Sequence, residues 1–299
     1  MKMIRRRNKF LRYLTAVAVV LLLFYSTQRF WAHRTGYFIP DYPQVALTEN
    51  TDCETIFLQT GLGRPVAEKL LAAGEFQTIL DAQEAFFHPP KAACTPLLGW
   101  FTREDRFIER SGFPPVDLQP GDILLTLSTH TAGWRHGHAA LVIDEENTLE
   151  SIVLGTDSAV VNAAHWSSYS NYAVLRIKNV TPELQKQVVQ YSKVHLQAVP
   201  YRLTSGWIGP KAPLPEDPQF GLHCSYLVWY AWNRFGYDLD SDGGRLVSAH
   251  DLLQSNLLEI VQIFGMDPRN FLIQTGGNHN ENLIFIRKSR RLHQLCKCF

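Results

Sequence analysis

Hydrophobic and polar positions divide the chain into stretches of different rhythm. The first is continuous. Leu14 to Tyr25 is a run of twelve uncharged, mostly apolar residues, preceded by Lys2, Arg5, Arg6, Arg7, Lys9 and Arg12. Basic residues ahead of an apolar run stay cytoplasmic, and Phe30 and Trp31 follow it where a cleavage site would want small residues. The pattern predicts an uncleaved signal anchor within residues 1–34. The protein would then be a single-pass cell-membrane protein, held by this helix, with the rest of the chain on the extracytoplasmic side.

After a polar, proline-bearing connector from Gly36 to Asn50, apolar positions recur at helical spacing. Pro65 and Gly74 frame a helix with Val66, Leu70 and Leu71 on one stripe, and Phe76, Ile79, Leu80 and Phe87 continue on a second helix that Pro89 and Pro90 stop. Residues 35–115 are expected to be a helical N-terminal region. Its charged stretch Thr102 to Arg110 and the pair Pro114-Pro115 separate it from a second unit, 116–290, and a basic tail, 291–299, follows.

In that second unit the period shortens to that of strands. Gln119-Pro120-Gly121-Asp122 is a turn feeding the strand Ile123 to Leu127. Ala139 to Ile143 and Thr148 to Leu154 are β-rich runs joined by Asp144-Glu145-Glu146-Asn147, a predicted hairpin. Tyr172 to Ile177 is a further strand, and Thr181-Pro182 caps a helix with Leu184, Val188, Tyr191 and His195 inward. Ser205 to Gly221 is a long proline-bearing loop, and Cys224 to Phe235 is a helix ended by Gly236. Strands are expected at Leu258 to Phe264, Phe271 to Gln274 and Leu283 to Arg287.

With 45% hydrophobic and 19% charged residues the chain is that of a packed globular protein. The net charge of +1 hides a basic N-terminus. Beyond residue 34 there are 21 basic against 28 acidic residues, which disfavours nucleic acid as a partner. Of five cysteines, Cys53 and Cys94 are the best pair for a single bridge. Cys296 and Cys298 in the basic tail receive no role.

Cys224 stands at the first turn of its helix, where the partial positive charge of the helix end lowers a thiol pKa. As its imidazole partner His138 is the best placed, heading an apolar strand after Gly137. His130 and His136 lie in the preceding loop, and His223 is expected to face another way. Glu150, on the strand that should pair with that of His138, is the carboxylate able to orient the ring. Asp238-Leu239-Asp240-Ser241-Asp242-Gly243 matches half of a calcium loop, but Ala249 stands where a bidentate Glu belongs, so an acidic turn capped by Ser248 and Asp251 is the preferred reading. Trp207, Trp229, Tyr230 and Trp232 are read as core rather than as a sugar platform. No metal or cofactor is called for.

Taken in order, Gly121-Asp122-Ile123-Leu124, Gly137-His138 with its strand, Leu149-Glu150-Ser151, Pro200-Tyr201 and Cys224-Ser225-Tyr226 resemble the circularly permuted NlpC-type papain-like cysteine hydrolases, in their YiiX/YebB-like branch. The resemblance spans about residues 119 to 255. It implies an α+β chain whose permuted papain-like domain packs an antiparallel sheet on helices, preceded by the anchor and the small helical segment. It further implies Cys224 as nucleophile, His138 as general base and then acid, Glu150 as the orienting residue, and the Tyr201 hydroxyl as an oxyanion donor beside the Cys224 amide. The expected activity is cleavage of an amide bond in bacterial cell-wall peptides through an acyl-enzyme. The alternatives are a lipid ester or amide hydrolase or acyltransferase of the same fold, and an inactive tethered binding module.

Overall fold

A computed structural model of the chain describes residues 12–26, 36–98, 102–131 and 134–272. Met1–Asp267 form one compact unit. The second unit, Pro268–Phe299, is described only as far as residue 272, where Pro268–Asn270 makes a 3-10 turn.

The basic-apolar N-terminus forms a helix, α1, over residues 12–26. At 1.5 Å per residue this stretch reaches about 22 Å, short of the roughly 30 Å of a bilayer's hydrocarbon. Among the described residues no helix is long and apolar enough to cross a membrane. The signal anchor and the single-pass membrane topology expected from the sequence are therefore corrected. Residues 1–11 and 27–35 lie outside the described residues.

Three helices follow: α2 (Cys53–Thr60), α3 (Arg64–Ala73) and α4 (Phe76–Phe87). α2 begins where the Asp52 side chain accepts the Thr55 N–H, and α3 opens with Pro65 in its first turn and ends on Gly74 in the left-handed conformation. Ile56, Val66, Leu70, Ile79 and Phe86 share one continuous core with the sheet residues Leu124, Ala140, Val142 and Val174.

The charged stretch expected to separate two units is instead a strand. β1 (Ala92–Leu98) pairs antiparallel with β2 (Thr102–Phe107), and β2 with β4 (Thr129–Thr131), giving a three-stranded sheet. Its buried acids are neutralised locally: Glu104 by Arg106 at 2.7 Å and Asp105 by Arg135 at 2.7 Å. Cys53 and Cys94, the best pair the sequence offers for a bridge, are free thiols on α2 and β1.

The main sheet is antiparallel throughout, with strand order β7-β6-β5-β3-β8-β9. Its strands are β3 (Ile123–Thr126), β5 (His138–Val142), β6 (Asn147–Glu150), β7 (Ala159–Asn162), β8 (Tyr172–Ile177) and β9 (Leu258–Phe264). The Asp144–Asn147 turn joins β5 to β6 with Val142 opposite Thr148 and Leu141 opposite Leu149. Helices α5 (Pro182–His195), α6 (Cys224–Asn233) and α7 (Ala249–Leu253) complete the unit, with α6 packed on β5. The chain is thus α+β with an antiparallel sheet. Phe271 and Leu272 are not in a strand, and the expected strand at Leu283 to Arg287, like Cys296 and Cys298, lies outside the described residues.

Asp122, in the turn before β3, is fully buried and grips the Arg176 guanidinium of β8 with both oxygens, each at 2.8 Å. Removing one partner of such a pair strands the other charge in a dry place. Asp122→Ala is expected to lower the unfolding free energy by about 3–5 kcal/mol in urea titration, and a loss below about 1 kcal/mol would show that the clamp carries no such load.

Candidate functional site

The site begins with β5. Gly137 takes φ +73°, and a Cβ there would stand 2.5 Å from the Thr126 carbonyl oxygen, so glycine alone delivers His138 to the head of the strand in this way. One row beyond the Val142–Thr148 and Leu141–Leu149 pairs, Glu150 shares a face with Thr148 and reaches back to His138. His138 Nε2 and Glu150 Oε2 are 2.8 Å apart. Glu150 is almost wholly buried, and its other oxygen accepts the Thr148 hydroxyl at 2.6 Å and the Trp166 indole N–H at 3.0 Å. His165 Nε2 lies 3.4 Å from the same oxygen. Trp166 also stacks on the His138 ring, 5.6 Å between centroids and 13° between planes.

Opposite stands the first turn of α6. His223 is its N-cap: an extended backbone lets the Nδ1 atom accept the Tyr226 N–H, while Nε2 is buried without a hydrogen-bond partner. Cys224 follows as the first helical residue and keeps part of its surface open to solvent. Burial alone would raise its thiol pKa. The neighbouring rings of His138 and His223 outweigh that and hold it well below the ordinary value.

His138 responds in the opposite sense. Its burial, which disfavours charge, is outweighed by the Cys224 sulfur and the Glu150 carboxylate, and its pKa is pushed up to about 10. Glu150 is likewise desolvated, yet His138, His165 and Thr148 pull it down to about 2. With Nε2 engaged by Glu150, the ring has only Nδ1 left for the sulfur. A thiol whose pKa is depressed beside a buried His138–Glu150 pair can act as a nucleophile with an acid–base partner.

Tyr201 is partly buried at a bridge between its strand segment and Leu222. Burial and the Cys224 charge together raise its pKa, so its hydroxyl stays protonated near the sulfur. His136, hydrogen-bonded to Thr131 and Gly137, lies within electrostatic reach of Cys224 and His138, and burial lowers its pKa. The structure also places His223, Trp166, His165 and Thr148 at this point, none of which the sequence singled out for it. His223 was expected to face away because neighbouring helical residues diverge by about 100°, but as a non-helical cap it is exempt from that rule.

Two other clusters hold metal-type donors. Asp240, Asp242 and Asp251 lie together, but Asp240 is paired with Lys211, and Asp251 forms a capping box with Ser248, as the sequence suggested. Cys94, Asp105 and His130 converge in the small sheet, with His130 Nε2 at 3.5 Å from both the sulfur and Asp105 Oδ1.

No known protein family and no curated protein matches the chain. Among solved structures it is similar to the crystal structure of metalloprotein YiiX from Escherichia coli O157:H7, DUF1105, with a TM-score of 0.37 and 16% identity over 48% of this chain and 96% of that one. Similarity at this level assigns no activity.

Two expectations follow. A thiol held as thiolate alkylates fast where an ordinary thiol does not. Iodoacetamide at about pH 6 should therefore modify Cys224 well ahead of Cys53, whose pKa burial raises, and His138→Ala should remove the difference. Equal rates in the unaltered protein would refute the ion pair. The second concerns stability. Glu150, lowered to about 2, stabilises the fold above the ordinary carboxylate range, and this is lost as pH falls from about 4.5 towards 2; His138, raised to about 10, stabilises fully below 6.5 and is lost as pH rises towards 10. Glu150→Gln should cost on the order of 3 kcal/mol near neutral pH and progressively less in acid, as read from denaturation midpoints across pH. A pH-independent difference would contradict this linkage.

Proposed function

We propose that the chain is a cysteine hydrolase of the permuted NlpC-type papain-like group, with Cys224 as nucleophile, His138 as general base and acid, and Glu150 as the residue that orients His138. The observation that carries this reading is the low-pKa thiol of Cys224, a residue of intermediate exposure, beside a buried His138–Glu150 pair. The Cys224 sulfur attacks a carbonyl carbon, forming a C–S bond, while the carbonyl oxygen takes the negative charge. That oxygen is received by the Cys224 backbone N–H, one of the unpaired donors of the first helical turn, and by the Tyr201 hydroxyl. His138 Nδ1 gives its proton to the leaving nitrogen as the C–N bond breaks. Now neutral, His138 Nδ1 takes a proton from water, whose oxygen bonds to the carbonyl carbon as the C–S bond breaks and the acid is released.

The resemblance in the sequence makes cell-wall peptides the first substrate to try. A second reading, an ester or amide hydrolase or acyltransferase working on acyl chains, is favoured by one feature. Leu154, Leu203, Trp207 and Ile208 are exposed apolar side chains. Their segments are tied together beside Tyr201, whose N–H binds the Thr156 carbonyl at 3.0 Å while the Arg202 N–H binds that of Leu222 at 2.9 Å. Such a rim suits a hydrocarbon better than a charged peptide.

The purified full chain, incubated in parallel with muropeptides and with phospholipid vesicles, should release product from one of them and pass through a thioester on Cys224 visible by mass spectrometry. Cys224→Ala should abolish turnover, and His138→Ala should lower kcat about a hundred- to ten-thousand-fold. Product from lipid alone would displace the peptide reading. Turnover surviving Cys224→Ala would end the hydrolase reading.

A further inference from the structure

The small sheet carries a second constellation, separate from the one above, and strand register explains how it forms. Cys94 on β1 lies directly opposite Asp105 on β2, and Arg103, two residues before Asp105, lies opposite His130 on β4. Directly paired residues share a face, as do residues two apart on one strand. Cys94, Asp105 and His130 are thus brought to one face by pairing alone.

Their contacts do not fit a hydrogen-bonded relay. A relay uses the two ring nitrogens for different partners, whereas His130 Nε2 faces both the Cys94 sulfur and Asp105 Oδ1, at 3.5 Å each. That nitrogen carries at most one proton, and an N–H to oxygen bond is normally about 2.7–3.2 Å long. Asp105 Oδ1, on a residue with no exposed surface, has no hydrogen-bond partner, although Oδ2 is fully engaged by Arg135 at 2.7 Å and the Gly36 N–H at 2.9 Å. A buried carboxylate oxygen with nothing to accept is costly, and a native protein seldom leaves one so.

A cation accounts for all three facts. Donors held at about 2.0–2.3 Å from a tetrahedral ion are themselves about 3.3–3.8 Å apart. That range contains both observed separations, which are too long for good hydrogen bonds. We propose that Cys94 Sγ, Asp105 Oδ1 and His130 Nε2 form a binding site for a divalent cation of the zinc type. One soft sulfur, one imidazole and one carboxylate select zinc over magnesium or calcium, which require sets of oxygens. Binding displaces the thiol proton to solvent and moves no electron. Arg135 and the Gly36 amide hold the carboxylate in place through its other oxygen. Among the described residues three donors converge here, so the fourth position goes to water or a solute.

The test uses the full chain, stripped with a chelator and titrated with Co2+ in excess Mg2+. A single Co2+ should bind per chain with a thiolate-to-cobalt charge-transfer band, and Zn2+ should displace it. Cys94→Ser should abolish the band, and Asp105→Asn and His130→Ala should weaken binding by about tenfold or more. Cys224→Ser should leave it intact, which keeps this result independent of the proposed hydrolase. A band that is absent, survives Cys94→Ser or disappears in Cys224→Ser overturns the site. Should Cys94→Ser fail to fold, alkylation of Cys94 in the unaltered chain decides: Zn2+ should slow it where Mg2+ does not, and equal rates refute the proposal.

Discussion

A carboxylate without water is the constraint around which the centre of this protein is organised. Glu150 is placed by a strand into a site almost closed to solvent, where its charge survives only if every lone pair is answered. The answers come from Thr148 on its own strand, Trp166 on a 3-10 turn, and the rings of His138 and His165. Once Glu150 is ionised, a protonated His138 is favoured, and a protonated His138 in turn favours a thiolate at Cys224. Each charge favours the next, and the series ends at Cys224, a residue of intermediate exposure.

The fold supplies this with two rigid parts. The β5–β6 hairpin fixes acid and imidazole in neighbouring rows, with Gly137 allowing the backbone to turn into the strand. Helix α6, buried along nearly its whole length and packed on β5, fixes the sulfur. The Asp122–Arg176 clamp belongs to the same logic at one remove, since it joins β3 to β8 beside β5. The Gly-Asp-Ile pattern is in this respect structural rather than catalytic.

Much of the main sheet was legible from alternation and turn chemistry. β8 and β9 occupy the runs expected, and Thr181 caps α5 as its side chain and the following proline suggested. The small sheet was not. In β2, Thr102-Arg103-Glu104-Asp105-Arg106 shows no apolar face; its backbone pairs with β1 and β4, and its buried acids are held by Arg106 and by Arg135, thirty residues from Asp105. Spacing cannot announce such a partner. The same holds for Trp166, which sits in a short turn without periodicity, and for His223, whose cap geometry removes it from the helical wheel. The apolar N-terminal run misled for another reason: composition and flanking charge were consistent with an anchor, but the helix described there is too short for one.

One feature bears on how this protein can change. The long excursion that precedes Cys224 is cinched at its base: Leu222 N–H binds the Pro200 carbonyl at 3.0 Å, Arg202 N–H binds the Leu222 carbonyl at 2.9 Å, and the Ser205 hydroxyl binds that of Gly221 at 2.6 Å. Beyond that knot the excursion lies against α6, the helix that carries the sulfur: the Tyr226 and Tyr230 hydroxyls donate to the Lys211 and Pro213 carbonyls at 2.8 Å and 2.6 Å, and Phe220 packs on the Tyr230 ring. Wholesale exchange of the excursion would strand two buried hydroxyls on that helix, so divergence in this scaffold is free only where the Lys211 and Pro213 carbonyls keep their places.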